Sequence, residues 1–277
     1  MAQNPLQQFY RQPKVYIPLP SRGIYNKLGS ISGDPTHMPV YSMTGMDEIL
    51  MKTPDSLLSG ESTAKLFESC CPGIKDGWEV TTLDTDLLLT AIRIATFGNE
   101  LEVSQICSKC GQENEYDINL SSVIDHFARC EFNNTLEANG LIIKMQPLTY
   151  RQSTEMALRN FKLQQQMIAA NSTPESDEQK NAISKLFKDL GVLQTDIYSA
   201  SIESIDTGTV VVTEQQFIHE WVENCDREML NFIRVHVNKN KEVWKIPDVS
   251  VVCSNPDCNH QTKLAIDLDQ SNFFAPA

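Results

Sequence analysis

Four cysteines at two short spacings carry the chemistry that can be read from this chain. Cys107-Ser108-Lys109-Cys110 is one pair, and Cys253-Ser254-Asn255-Pro256-Asp257-Cys258 contains the other. Two thiolates a few residues apart can face one cation from a tight turn, and such a knuckle is the usual half of a zinc site. Two knuckles supply four sulfurs, which fill a tetrahedral site and leave no position for water. The predicted metal ligands are therefore Cys107, Cys110, Cys253 and Cys258. The predicted cofactor is zinc in a structural role, so metal catalysis is not implied.

The flanks of the two pairs echo each other. Val103-Ser104-Gln105-Ile106 precedes the first and Val249-Ser250-Val251-Val252 precedes the second. Gly111 and Asn259 follow directly, and both residue types tolerate the positive φ that a knuckle turn demands. Ile118 and Leu120 then match Ile266 and Leu268 at the same offsets. The unit of strand, knuckle and return strand is thus used twice. Its halves lie about 140 residues apart, against about 15–20 in a continuous ribbon. The expectation is one zinc ribbon split by a large insertion. Two plainer readings compete with it. The thiols could be reduced core residues, or Cys107 and Cys110 could be a redox pair, though a redox pair belongs at a helix start and a polar strand follows here.

The elements that must position the knuckles follow from hydrophobic periodicity. Leu87, Leu88, Leu89, Ala91, Ile92, Ile94 and Ala95 surround a helix on nearly every side, so it belongs in a core, and Gly98 ends it. Arg93 stands out there, facing either a carboxylate such as Asp84 or Asp86 or the solvent. Thr44 with Asp47 and Glu48 suits a helix start, Thr53-Pro54 opens a short helix through Leu58, and residues 61–71 form another. Ser121 to Phe132 reads as a helix, Asn139-Gly140 as a tight turn, and Leu141 to Met145 as a strand. Thr149 and Gln152 have capping-box spacing at the head of a helix running to about Ala170. Thr173 and Pro174 open the next helix, which Gly191 closes, and the two resemble a projecting hairpin. Ile197 to Ile205 is expected to be helical and Val210 to Val212 a strand. Thr213 and Gln216 cap one long helix carrying Phe217, Ile218, Trp221, Val222, Cys225, Met229, Phe232 and Ile233.

These elements predict an α+β fold, mostly helical, with a split four-cysteine zinc ribbon and a large helical insertion. The expected parts are an extended arm over 1–39, a helix-and-strand part over 40–98, the ribbon over 99–120 with 246–277, and the insertion over 121–245. In the arm, Tyr16-Ile17-Pro18-Leu19-Pro20 is an extended run that docks either on its own domain or on a neighbour. The adjacent Phe273 and Phe274 call for burial.

Bulk properties exclude several classes. The 277 residues are 41% hydrophobic and 21% charged, as in a globular protein. The net charge of −13 repels nucleic acid and anionic membranes. Acids also crowd both knuckles, with Glu100, Glu102, Glu113, Glu115 and Asp117 at the first and Asp248, Asp257, Asp267 and Asp269 at the second. No apolar run is long enough to span a membrane, and the polar N-terminus shows no secretory signal. Phosphate-loop, dinucleotide, zinc-protease and serine-hydrolase motifs are absent, and His37, His126, His219, His236 and His260 do not cluster in sequence. The expectation is a non-enzymatic protein. A nucleic-acid-binding zinc-ribbon protein is the rival, and a metalloenzyme the more distant one.

Several short segments, taken in order, resemble contractile-tailed phage proteins of the T4 baseplate hub assembly family. They are Leu19-Pro20-Ser21-Arg22-Gly23, Met43-Thr44-Gly45-Met46-Asp47-Glu48, Lys52-Thr53-Pro54-Asp55, Ile92-Arg93-Ile94-Ala95-Thr96-Phe97-Gly98, Gln146-Pro147-Leu148-Thr149-Tyr150 and Ser271-Asn272-Phe273-Phe274. Residues 151–206 match least. The resemblance implies virion assembly in the host cytoplasm and a place in the tail baseplate, as a permanent piece or as an assembly factor. It implies other phage baseplate hub and tail proteins as partners, and an oligomer is possible.

Overall fold

The computed structural model describes residues 5–53, 59–172, 176–266, 268 and 273–274. The short helix expected over 54–58 and the cap expected at Thr173 with Pro174 lie outside the described residues. The chain divides into two compact units, one of residues 1–130 with 244–277, the other of residues 131–243. The fold is α+β and mostly helical, with small antiparallel sheets.

The first unit begins with β1 (Pro13–Ile17) paired antiparallel to β2 (Met38–Tyr41). Ile17 and Leu19 are buried, so the proline-spaced run packs on its own unit. Thr44 caps α1 (Gly45–Met51) in a capping box with Asp47, which keeps two otherwise unpaired N–H groups bonded. Helix α2 (Glu61–Cys70) follows, then α3 (Thr82–Phe97), whose Leu87, Leu88 and Ile92 are fully buried. Gly98 ends α3 at φ +99°. Strands β3 (Glu100–Ile106) and β4 (Glu113–Asn119) form a hairpin, and the short α4 (Ser121–Phe127) closes this stretch. Helix α4 is shorter than the expected Ser121 to Phe132, because the backbone turns at Ala128 to Cys130. Strands β9 (Val249–Val252) and β10 (Gln261–Leu264) form the second hairpin.

Arg93 corrects an expectation. It is 2% exposed, so it does not face the solvent. Its Nε donates to the Phe273 carbonyl at 2.8 Å, and its guanidinium lies 4.6 Å from the Phe97 ring centroid. Asp84 instead accepts from the Ser21 N–H at 2.9 Å and the Thr81 hydroxyl at 2.8 Å. Phe273 and Phe274 are buried as their apolar rings require.

The second unit holds a four-stranded antiparallel sheet in the order β5-β6-β7-β8 (Thr135–Ala138, Leu141–Met145, Ile202–Asp206, Val211–Val212). The insertion therefore carries more strand than its periodicity suggested. Asn139 and Gly140, both at positive φ, make the two-residue turn between β5 and β6. Helix α5 (Tyr150–Asn171) starts at the Thr149 capping box and α6 (Asp177–Ala200) at Ser176. They pack through Leu163, Leu186 and Leu193. Helix α6 runs straight through Gly191, and Ile202 to Asp206 is strand rather than helix.

The expected long helix is two, α7 (Gln215–Asn224) and α8 (Arg227–Val243). Cys225 is extended at ψ 155°, and the Asp226 carboxylate accepts from the Met229 N–H at 2.8 Å. An aspartate that caps the following turn breaks the helix before it. Glu214, not Thr213, precedes α7, with no side-chain cap. Both helices cover the sheet through Ile218, Val222, Met229, Ile233 and Val237 against Ile143, Met145, Ile202 and Ile205.

Candidate metal centre

The β3–β4 register sets which side chains face inward. Leu101 lies opposite Ile118 and Val103 opposite Tyr116, so this face is apolar. It packs on Val249, Val251, Leu264 and Ile266 of the second hairpin. The outer face carries Glu100, Glu102, Glu113, Glu115 and Asp117, all exposed. The two hairpins thus stack through a small apolar layer and carry their cysteine turns at the same end.

Each turn is built the same way. The Cys107 N–H donates to the Gln112 carbonyl at 2.8 Å, and the Cys253 N–H to the His260 carbonyl at 2.9 Å. Gly111 and Asn259 take φ +74° and +45°, which closes each knuckle. All four sulfurs lie within 4.8 Å of one another. Cys107 Sγ is 3.9 Å from Cys258 Sγ, and Cys110 Sγ is 3.6 Å from Cys253 Sγ. These contacts cross between the knuckles. They are too long for disulfides, whose S–S bond is about 2.05 Å. They match the edge of a tetrahedron built on ~2.3 Å zinc–sulfur bonds, which is ~3.8 Å. The donor set therefore fits a tetrahedral thiophilic cation.

The local field is uneven. The N–H groups of Cys110 and Lys109 hold the Cys107 thiol down to about 7, while burial pushes Cys258 up to about 11. Cys107 and Cys253 are buried, Cys258 is half-buried and Cys110 is exposed. The remaining thiols belong elsewhere. Burial pushes Cys70 up to about 12 and holds Cys71 protonated, so both are inert core thiols.

A pseudo-twofold relation joins the turns. The Ser108 hydroxyl lies 3.4 Å from His260 Nε2, and Gln112 Nε2 donates to the Ser254 hydroxyl at 3.2 Å. In each case the residue after the first cysteine of one knuckle meets the second residue past the last cysteine of the other. Asn114 and Tyr116 add bonds with no counterpart. Asn114 Oδ1 takes the Ser254 N–H, and the Tyr116 hydroxyl donates to the Val252 carbonyl at 3.2 Å. The serine after the first cysteine in both pairs is the sequence signal that could have exposed the symmetric contacts. Nothing in the sequence singles out Asn114.

Two histidines of the second unit have partners within it. His219 Nε2 is 2.9 Å from Asp196 Oδ1, and His236 Nε2 is 2.8 Å from the Asn133 carbonyl. Among the described residues, the four sulfurs are the one group of three or more metal-ligating side chains gathered together. No helix is long and apolar enough to cross a membrane among the described residues.

A family model described as T4 bacteriophage base plate protein matches residues 43–275, which takes in both cysteine pairs and the whole segment between them. No curated protein and no solved structure matches the chain. Because the match covers most of the chain, this protein belongs to the T4 bacteriophage base plate protein family.

Proposed function

We propose that the protein is a non-enzymatic component or assembly factor of the central hub of a contractile-tail baseplate, and that Cys107, Cys110, Cys253 and Cys258 hold one structural zinc. The observation that carries the metal reading is the convergence of four sulfurs from segments more than 140 positions apart. Zinc there would supply a cross-link of four covalent-strength bonds and no open position for chemistry. It would fasten the C-terminal hairpin to the first knuckle and so hold closed the unit from which the long insertion departs. Its partners would be other baseplate hub and tail proteins, met in the host cytoplasm during assembly and retained, where the protein is a permanent piece, in the virion tail.

The acidic outer face of the first hairpin argues against the rival nucleic-acid reading, which needs a basic surface. Two measurements test the proposal. Elemental analysis of the purified chain is expected to give one zinc per chain, lost in Cys253→Ser. Cross-linking within isolated baseplates or tail intermediates is expected to place the chain against hub proteins. A metal-free wild-type chain, or contacts confined to the baseplate periphery, would remove the corresponding half of the reading.

A further inference from the structure

The hydrogen bonds between the two knuckles are unequal. Those of Ser108 with His260 and of Gln112 with Ser254 are long and open to solvent. Asn114 is 3% exposed and uses both ends of its amide. Its Oδ1 accepts from the Ser254 N–H at 2.8 Å and from the Ser254 hydroxyl at 2.7 Å. Its Nδ2 donates to the Gln112 carbonyl at 2.9 Å. The orientation of the amide is fixed by chemistry, since a backbone N–H can face only the oxygen.

One end of this side chain therefore grips the backbone next to Cys253, and the other grips the turn just past Cys110. We propose that Asn114 is the positioning residue that sets the second knuckle against the first, and thereby the geometry and affinity of the four-sulfur site for its cation. The proposal rests on the metal reading above and adds to it a residue outside the ligand set. Removing the amide leaves the Ser254 N–H without its acceptor and frees the loop that carries Cys253 and Cys258. Residues that orient metal ligands from behind typically govern affinity by about 10–100-fold.

The test is titration of the full chain with cobalt(II), followed by competition with zinc. Asn114→Ala and Asn114→Leu are expected to bind about 10–100-fold more weakly, with altered cobalt–thiolate absorption bands. Gln112→Ala, at the exposed contact, is expected to stay within about threefold of the parent, well under that range. Asn114→Asp keeps the acceptor for Ser254 and loses the donor to Gln112, so an intermediate affinity is expected. That variant decides the matter if the other two fail to fold, because parental affinity there would overturn the proposal. A lower melting temperature for Asn114→Ala with unchanged cobalt affinity and spectrum would make the residue merely structural. That result sinks the positioning role and leaves the metal reading standing. A parent chain with no cobalt–thiolate band ends both.

Discussion

The cysteine ribbon and the helical insertion solve the same problem by different means. The insertion buries ten side chains in a single cluster, with Ile143, Ile202, Ile218 and Ile233 fully enclosed. Its strands and helices come from one continuous stretch, residues 131–243. Among the described residues, the ribbon's apolar layer has three buried members, Ile118, Val251 and Leu264. Those hairpins are also joined only after the whole insertion has been made. A layer of three buried residues is a weak clamp for segments so far apart in the chain, since each contributes about 1.5–3 kcal/mol. The difference teaches that the ribbon needs cross-links, polar ones and, on the reading proposed above, a metallic one, whereas the insertion depends on area removed from water.

The largest effect expected from this contrast follows loss of the proposed metal. Structural zinc contributes on the order of 10 kcal/mol in small modules, comparable to the whole stability of a domain. Cys253→Ser, or treatment with a strong chelator, is expected to strip hydrogen-exchange protection from β3, β4, β9 and β10. Amides of β6 and α8 are expected to stay protected. Simultaneous loss in both units would break the comparison, and unchanged protection in the ribbon would show that its apolar layer suffices.

The reciprocal experiment targets the insertion's core. Ile233 is fully buried between α8 and the sheet. Ile233→Ala is expected to cost about 2–5 kcal/mol, through lost burial and the cavity left behind. Denaturant unfolding followed at Trp221, which packs against the same cluster, measures it. Zinc content is expected to remain at the parental level. A variant that also releases zinc would mean the two units are not energetically separate.

What the sequence disclosed tracks the range of the interactions involved. The knuckles were legible because residue type, spacing and positive-φ residues are local, and the repeated flanks tied two local signals together. The Thr149 capping box and the Asn139-Gly140 turn were legible for the same reason. The break at Cys225 and Asp226 was hidden, because one apolar stripe runs through both helices and only the Asp226 cap interrupts the backbone. Gly191 misled in the opposite direction, since packing of α6 on α5 outweighs the preference of a single glycine. The partner of Arg93 is a carbonyl 180 positions away, which no periodicity can reveal.

A smaller effect belongs to Asp86 in the first unit. It lines a cleft with Lys245, Ile246, Asp248 and Ile266, and burial pushes its carboxyl from 3.8 up to about 6. A raised carboxyl pKa means that the folded state holds the proton more tightly than the unfolded chain. The stability linked to it is complete below about pH 4 and is lost as pH rises through about 6. At pH 7 the ionised group is therefore a cost. Asp86→Asn is expected to stabilise the first unit by about 1–3 kcal/mol at pH 7 and by nothing below about pH 4. Thermal melts across that range check it. An advantage that grows toward acid pH would reverse the sign of the argument.

The smallest effect uses one substitution at two places. Gly191 lies inside α6 with no atom within 4 Å of where a Cβ would stand, and its φ is not positive. Gly191→Ala is therefore expected to stabilise the insertion by about 0.5–1 kcal/mol, because alanine loses less backbone freedom on entering a helix. Gly111 also has open space around its Cβ position, but it sits at φ +74° in the first knuckle. Gly111→Ala is expected to destabilise the ribbon by about 1–2 kcal/mol, since an L side chain crowds the backbone there. Steric room is equal at the two sites, so only the backbone conformation differs. Melting the two variants separates these cases, and effects of the same sign would mean that the knuckle turn tolerates a conformation other than the one that brings its cysteines together.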